Sequence, residues 1–198
     1  MNLPNKLTLS RAIATPVFMA VMLLTCIPFN YTAALVLFIA ASLTDLLDGK
    51  IARKRNLVTN FGKFLDPVAD KMLTTAAFLG FMVIVPQGGI SAQLTVITFI
   101  ILFREFVVSS IRLIAVSGEA KKVIPANMWG KVKTVVQMAC IISGLTAYSV
   151  KEILPGVPVL FDVLFALFLV LGWAAALLTV ISGAIYIYES KDLIDSTK

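Results

Sequence analysis

Four aspartates dominate the chemistry this chain could perform. Asp45 and Asp48 stand three residues apart, Asp66 and Asp70 four apart, in a sequence that is otherwise strongly apolar. An ionised carboxylate inside a membrane costs roughly 2.5 to 3.5 kcal/mol on insertion scales, so four need a purpose. On helices each spacing projects its pair from one face. Two such helices facing each other would converge four carboxylates on one point. Each would raise its neighbours' pKa unless cations lay between them. With only oxygen donors and no His or Cys nearby, the set favours a hard ion, Mg2+ or Mn2+. The residues between them fit phosphate chemistry. Gly49, Ala52 and Gly62 are small enough for a ligand to approach the backbone, and Arg53 offers a planar positive fork to phosphate oxygens.

The elements that carry these residues must lie in a bilayer. Across 198 residues only 14% are charged, against about 25% in a soluble domain, and mean hydropathy is +0.95. A soluble domain could not build its polar shell from that composition, so the chain reads as an all-α integral membrane protein with one domain over residues 1–198. It contains no His, which excludes a Ser-His-Asp centre. Cys26 and Cys140 lie in apolar runs and read as small buried hydrophobes. The net charge of +6 sits beside apolar runs, so membrane lipid headgroups and phosphorylated substrates are the expected partners and nucleic acid is not. The N-terminal apolar run lacks a small-x-small cleavage pattern and reads as a retained span.

Six spans are expected. A short interfacial segment over residues 2–11 leads into the first, 12–29; the others run 31–53, 61–85, 91–116, 129–150 and 159–188. Both termini and the stretches 54–60 and 118–127 then share one side with nearly all Lys and Arg. The positive-inside rule makes that side cytoplasmic. Asp45 would lie roughly 10 to 15 Å below the lip at residues 53–55. Two capping readings stay open: Asp66 before Pro67, and Asn5, Thr8 or Ser10 near the start. Arg104 and Arg112, two turns apart on the fourth span, share a face. Arg104 is too deep to snorkel, so it either pairs with Glu105 or a motif aspartate, or joins Arg112, Lys131 and Lys133 in binding a phosphate. Lys121 and Lys122 read as a lipid-attracting surface pair.

The run from Asp45 to Asp70 resembles the signature of the CDP-alcohol phosphotransferase family: Asp-x-x-Asp-Gly-x-x-Ala-Arg, eight residues, then Gly-x-x-x-Asp-x-x-x-Asp. Asp45, Asp48, Gly49, Ala52, Arg53, Gly62, Asp66 and Asp70 fill its positions without departure. The resemblance implies a membrane enzyme of the cell (inner) membrane, its site facing the cytoplasm. It implies transfer of a phosphatidyl group from CDP-diacylglycerol to an alcohol, with two divalent ions on the four aspartates and Asp70 as general base. It places Gly49, Ala52, Arg53 and Gly62 against the CDP-lipid, with Asn5 and Thr8 nearby by topology, and it implies a homodimer. Residues 104–106, REF, then Arg112 and NMWGKVKT at 127–134 resemble the members whose acceptor is sn-glycerol 3-phosphate. An inositol phosphate would also need cations. From another class, a cation-coupled transporter could use intramembrane carboxylates, but it would spread them near the midplane with repeat symmetry. A structural or lipid-binding scaffold would leave the four aspartates without purpose.

Overall fold

In the computed structural model, the backbone is described over residues 3–55, 60–117 and 128–190, and side chains over 9–44, 71–112 and 128–190. Six helices account for nearly all of it: α1 (Leu3–Leu23), α2 (Asn30–Arg55), α3 (Asn60–Ile84), α4 (Gly89–Ser117), α5 (Met128–Ile153) and α6 (Pro158–Glu189). The described residues include no strand.

α1 departs most from expectation. It is one unbroken helix from Leu3, with Pro16 in its interior, and it stops at Leu23 instead of running on to 29. Pro28 removes an amide and disfavours helical geometry at Ile27. The chain turns through residues 24–29, and Phe29 adopts φ +55°. Cys26 is exposed on that turn, contrary to its reading as a buried hydrophobe, whereas Cys140 is buried and its thiol donates to the Phe168 carbonyl at 3.3 Å. The capping readings fall as well. Asp66 is the seventh residue of α3, and Asn5, Thr8 and Ser10 all lie within α1, so none is an N-cap.

The helices close a ring in the order α1, α2, α5, α6, α4, α3, with α3 also touching α5 across it. Aromatic and small residues fill the centre. Phe81 on α3 packs on Phe168 of α6, ring centroids 4.6 Å apart, and Tyr148 meets Phe161 edge-on at 5.6 Å. Gly144 makes the first contact possible: a Cβ there would stand 2.6 Å from Phe81 and 2.8 Å from Phe168. Small residues at such crossings let helices approach where lipid supplies no hydrophobic drive between them.

The end of the bundle away from the motif is tied by one carboxylate. Glu152, on the last turn of α5, accepts the backbone N–H groups of Tyr31 and Thr32 at 3.1 and 3.0 Å, and the Thr32 hydroxyl at 3.0 Å. These amides open α2 and have no intrahelical partner, so an anion placed there satisfies donors and meets the positive end of the helix dipole. Asn30 secures the same corner through its amide, which donates to the Met22 carbonyl at 3.0 Å.

Among the described residues two helices are long and apolar enough to cross a membrane: α4 over Gly89–Arg112, mean hydropathy 2.0, and α6 over Pro158–Glu189, mean hydropathy 2.6. Their outward faces are greasy, with Phe99, Phe103 and Phe106 each more than 60% exposed. Water would not tolerate that stripe. The chain is a membrane protein.

Candidate active site

The motif occupies the two helix ends that border residues 56–59. Asp45, Asp48, Gly49, Ala52 and Arg53 fall on the last turns of α2, and Gly62, Asp66 and Asp70 on the first turns of α3. Asp45 and Asp70 each stand ten residues from the helix end beside that connection, about 15 Å of rise. Asp48 and Asp66 stand seven and six residues away, about 10 Å. Their side chains lie outside the described residues, as do those of Asn5 and Thr8. Among the described residues no three His, Cys, Asp or Glu side chains gather. Four carboxylates are oxygen donors of the kind a hard divalent ion takes.

Beside this end of α3 lies a described cluster that binds three helices through one carboxylate. Glu105 on α4 faces Lys71 of α3 at 3.3 Å, Arg104 Nη1 at 3.2 Å, and Lys133 of α5 in a close ion pair. Lys71, which directly follows Asp70, also donates to the Glu105 carbonyl at 3.3 Å and to the Ser109 hydroxyl. Ser109 in turn donates to the Glu105 carbonyl at 2.6 Å. Arg104 and Lys133 are well covered, their side chains 14% and 4% exposed.

Two glycines make room for Arg104. A Cβ at Gly183 would stand 3.0 Å from its Cγ, and one at Gly130 would stand 3.5 Å from Nη2. Glu105 engages the Nη1 edge, while the buried Nε has no hydrogen-bond partner. Arg112, two turns further along α4 and exposed, lies over the Tyr186 ring of α6, Cζ 5.5 Å from its centroid.

Of the four cations expected at an acceptor phosphate, the structure brings Arg104 and Lys133 onto one carboxylate. It sets Arg112 on the same helix face, beside Tyr186. Lys131 is exposed two residues before Lys133 and so turned away from it. Sequence reasoning foresaw Glu105 as a partner of Arg104 but passed over three residues. Lys71 meets a partner 34 residues on, which its place after Asp70 does not announce. Arg11 is buried on α1, at 5% exposure, and only its depth past the start of the helix could have flagged it. Tyr186 lies near the end of α6. It is 1% exposed, and its hydroxyl has no hydrogen-bond partner.

Comparison with known proteins settles the family. The model of the CDP-alcohol phosphatidyltransferase family matches residues 1–181. The chain belongs to that family. A CDP-diacylglycerol--glycerol-3-phosphate 3-phosphatidyltransferase of Bacillus subtilis (strain 168) is 42% identical over 194 residues, covering 92% of this chain and 91% of the relative. One of Rickettsia bellii (strain RML369-C) is 34% identical over 194 residues, covering 96% of each. An Arabidopsis thaliana protein of the same name, numbered 2, is 41% identical over 143 residues, 69% of this chain and 61% of its own. Membership of this family sets aside the cation-coupled transporter and the scaffold. This CDP-alcohol phosphatidyltransferase is a transferase, as the motif implied.

Proposed function

We propose that the protein transfers a phosphatidyl group from CDP-diacylglycerol to sn-glycerol 3-phosphate, giving phosphatidylglycerophosphate and CMP. One observation carries the choice of acceptor: three cations meet a single carboxylate within the bundle, beside Asp70. Among the described residues Glu105 is the one acid that meets these cations, so an anion entering the cluster would be held by charge. A phosphate monoester supplies one; serine or choline would not. The relatives named for glycerol 3-phosphate support the same acceptor.

In this reading all six helices span the cell membrane, residues 1–198 form one domain, the motif end faces the cytoplasm, and two chains associate as a homodimer. With α2 and α3 taken as antiparallel about residues 56–59, Asp45 would come level with Asp70 and Asp48 with Asp66. Those four carboxylates would hold two Mg2+ or Mn2+ ions. When bound, the ions supply charge neutralisation of the diphosphate and polarisation at phosphorus.

The chain's own groups do the rest. Gly49, Ala52 and Gly62 leave space for the nucleotide, Arg53 neutralises phosphate charge, and Asn5 and Thr8 line the same end. Arg104, Arg112 and Lys133 hold the acceptor's phosphate, with Arg104 offering a bidentate edge. Held there, the primary hydroxyl faces the lipid-linked phosphorus, and its oxygen forms the new P–O bond as the bond to CMP breaks. Asp70 receives the hydroxyl proton, a contribution typically of about 10²- to 10⁴-fold.

An acceptor screen tests this. Purified protein supplied with CDP-diacylglycerol and Mg2+ is expected to release CMP with glycerol 3-phosphate, and the lipid product should carry its mass. Release with an inositol phosphate alone would move the protein to another acceptor. Release with glycerol or serine at equal efficiency would remove the reason for the cationic cluster.

A further inference from the structure

Three features decide what Glu105 does. Its carboxylate is shared by cations from α3, α4 and α5. A purely structural ion pair needs one cation for one carboxylate, and this arrangement has three. The small cavity to which Glu105 contributes is otherwise walled by Thr74, Thr75, Thr98, Gln137 and apolar side chains, so Glu105 is the one acid among its lining residues. Lys71, finally, reaches past the carboxylate to the Glu105 carbonyl and to Ser109. It thereby fastens the turn of α3 that follows Asp66 and Asp70 to the middle of α4.

We infer that Glu105 is a positioning residue: its one carboxylate spaces Arg104 and Lys133 for an incoming phosphate and, through Lys71, fixes the aspartate-bearing end of α3 against them. This deepens the proposed function and rests on the acceptor being a phosphorylated alcohol. The two halves of the reaction, metal side and acceptor side, are then held in register by side chains that touch neither reacting atom. Without the carboxylate, three like charges within a few ångströms repel one another and the array spreads.

The test uses full-length protein in detergent and two variants. Wild type should be stabilised against thermal unfolding by glycerol 3-phosphate and by inorganic phosphate. If neither anion stabilises it, the phosphorylated-acceptor reading fails, and this inference with it. Given wild-type stabilisation, Glu105→Gln should lose most of that protection and raise KM for glycerol 3-phosphate at least tenfold, with KM for CDP-diacylglycerol changed less than twofold. Equal protection, tighter phosphate binding or parallel rises in both KM values would overturn the inference while leaving the acceptor intact. Lys71→Met should separate the other arm. Mn2+ binding, read from the electron paramagnetic resonance of free Mn2+, should weaken at least threefold while KM for glycerol 3-phosphate stays within twofold. Unchanged Mn2+ binding would refute the link to α3. Should Glu105→Gln not fold, Glu105→Asp replaces it: the shortened carboxylate should lose part of the phosphate protection and raise KM for glycerol 3-phosphate alone, and unchanged values would overturn the inference.

Discussion

Arg104 and Arg112 share a face of α4 yet stand in different surroundings. Arg104 is enclosed, one edge engaged by Glu105 and its Nε without a hydrogen-bond partner. Arg112 is exposed and rests on the Tyr186 ring, a contact worth about 0.5 to 1 kcal/mol at such a site. A residue so lightly held can be removed without unfolding the protein, which makes it the cleanest probe of acceptor binding. Arg112→Ala should raise KM for the phosphorylated acceptor about tenfold, roughly 1.4 kcal/mol, and leave that for the CDP-lipid nearly unchanged, as steady-state kinetics with each substrate varied in turn will show. Equal effects on both would make Arg112 structural. That Arg104 would need a partner was legible in the sequence, because charge in an apolar run has few explanations. Pairing was less so. Glu105 next to Arg104 was an evident partner, but Lys71 and Lys133 reach it across 34 and 28 residues, and only the closing of the ring brings them together.

At the scale of the elements, hydropathy drew five of the six helices to within a few residues of their observed ends, because each is bounded by turn-forming or charged residues. The first was misjudged at both ends. Its polar opening turns are helical from Leu3, and Pro28 ends the helical course earlier than hydropathy alone implies. Asp66 invited reading as a cap since Pro follows it, but α3 begins six residues before it. Nor did the sequence reveal the Glu152 clamp on α2, a contact spanning 121 residues to Tyr31. Glu152→Ala leaves two amides without their acceptor, at a cost of about 1 to 3 kcal/mol. The variant should unfold at a lower temperature in detergent, while its KM values stay near wild type because the clamp lies at the opposite end from the motif. An unchanged unfolding temperature would mean that water replaces the carboxylate there.

For the whole molecule, the ring order joins these parts into one device. α3 lies between α1 and α4 and also reaches α5, so the helix that carries Asp66 and Asp70 touches the elements that carry Arg104 and Lys133. The far end is bound by aromatic packing and by Glu152. Among the described residues α4 and α6 pass as long apolar spans. The Glu105 cluster, with Lys71 and Lys133, lies on the motif side of the aromatic packing between Phe81 and Phe168. A family member that joins a soluble phosphate ester to a lipid needs that division, with greasy walls below and charge at the rim.

The most direct test of this account counts metal ions. Titration of the purified protein with Mn2+, followed by electron paramagnetic resonance, should find two ions per wild-type chain and fewer than one in Asp48→Asn, with circular dichroism unchanged. Two ions retained in the variant, or none in the wild type, would contradict the convergence of α2 and α3 on a shared metal centre.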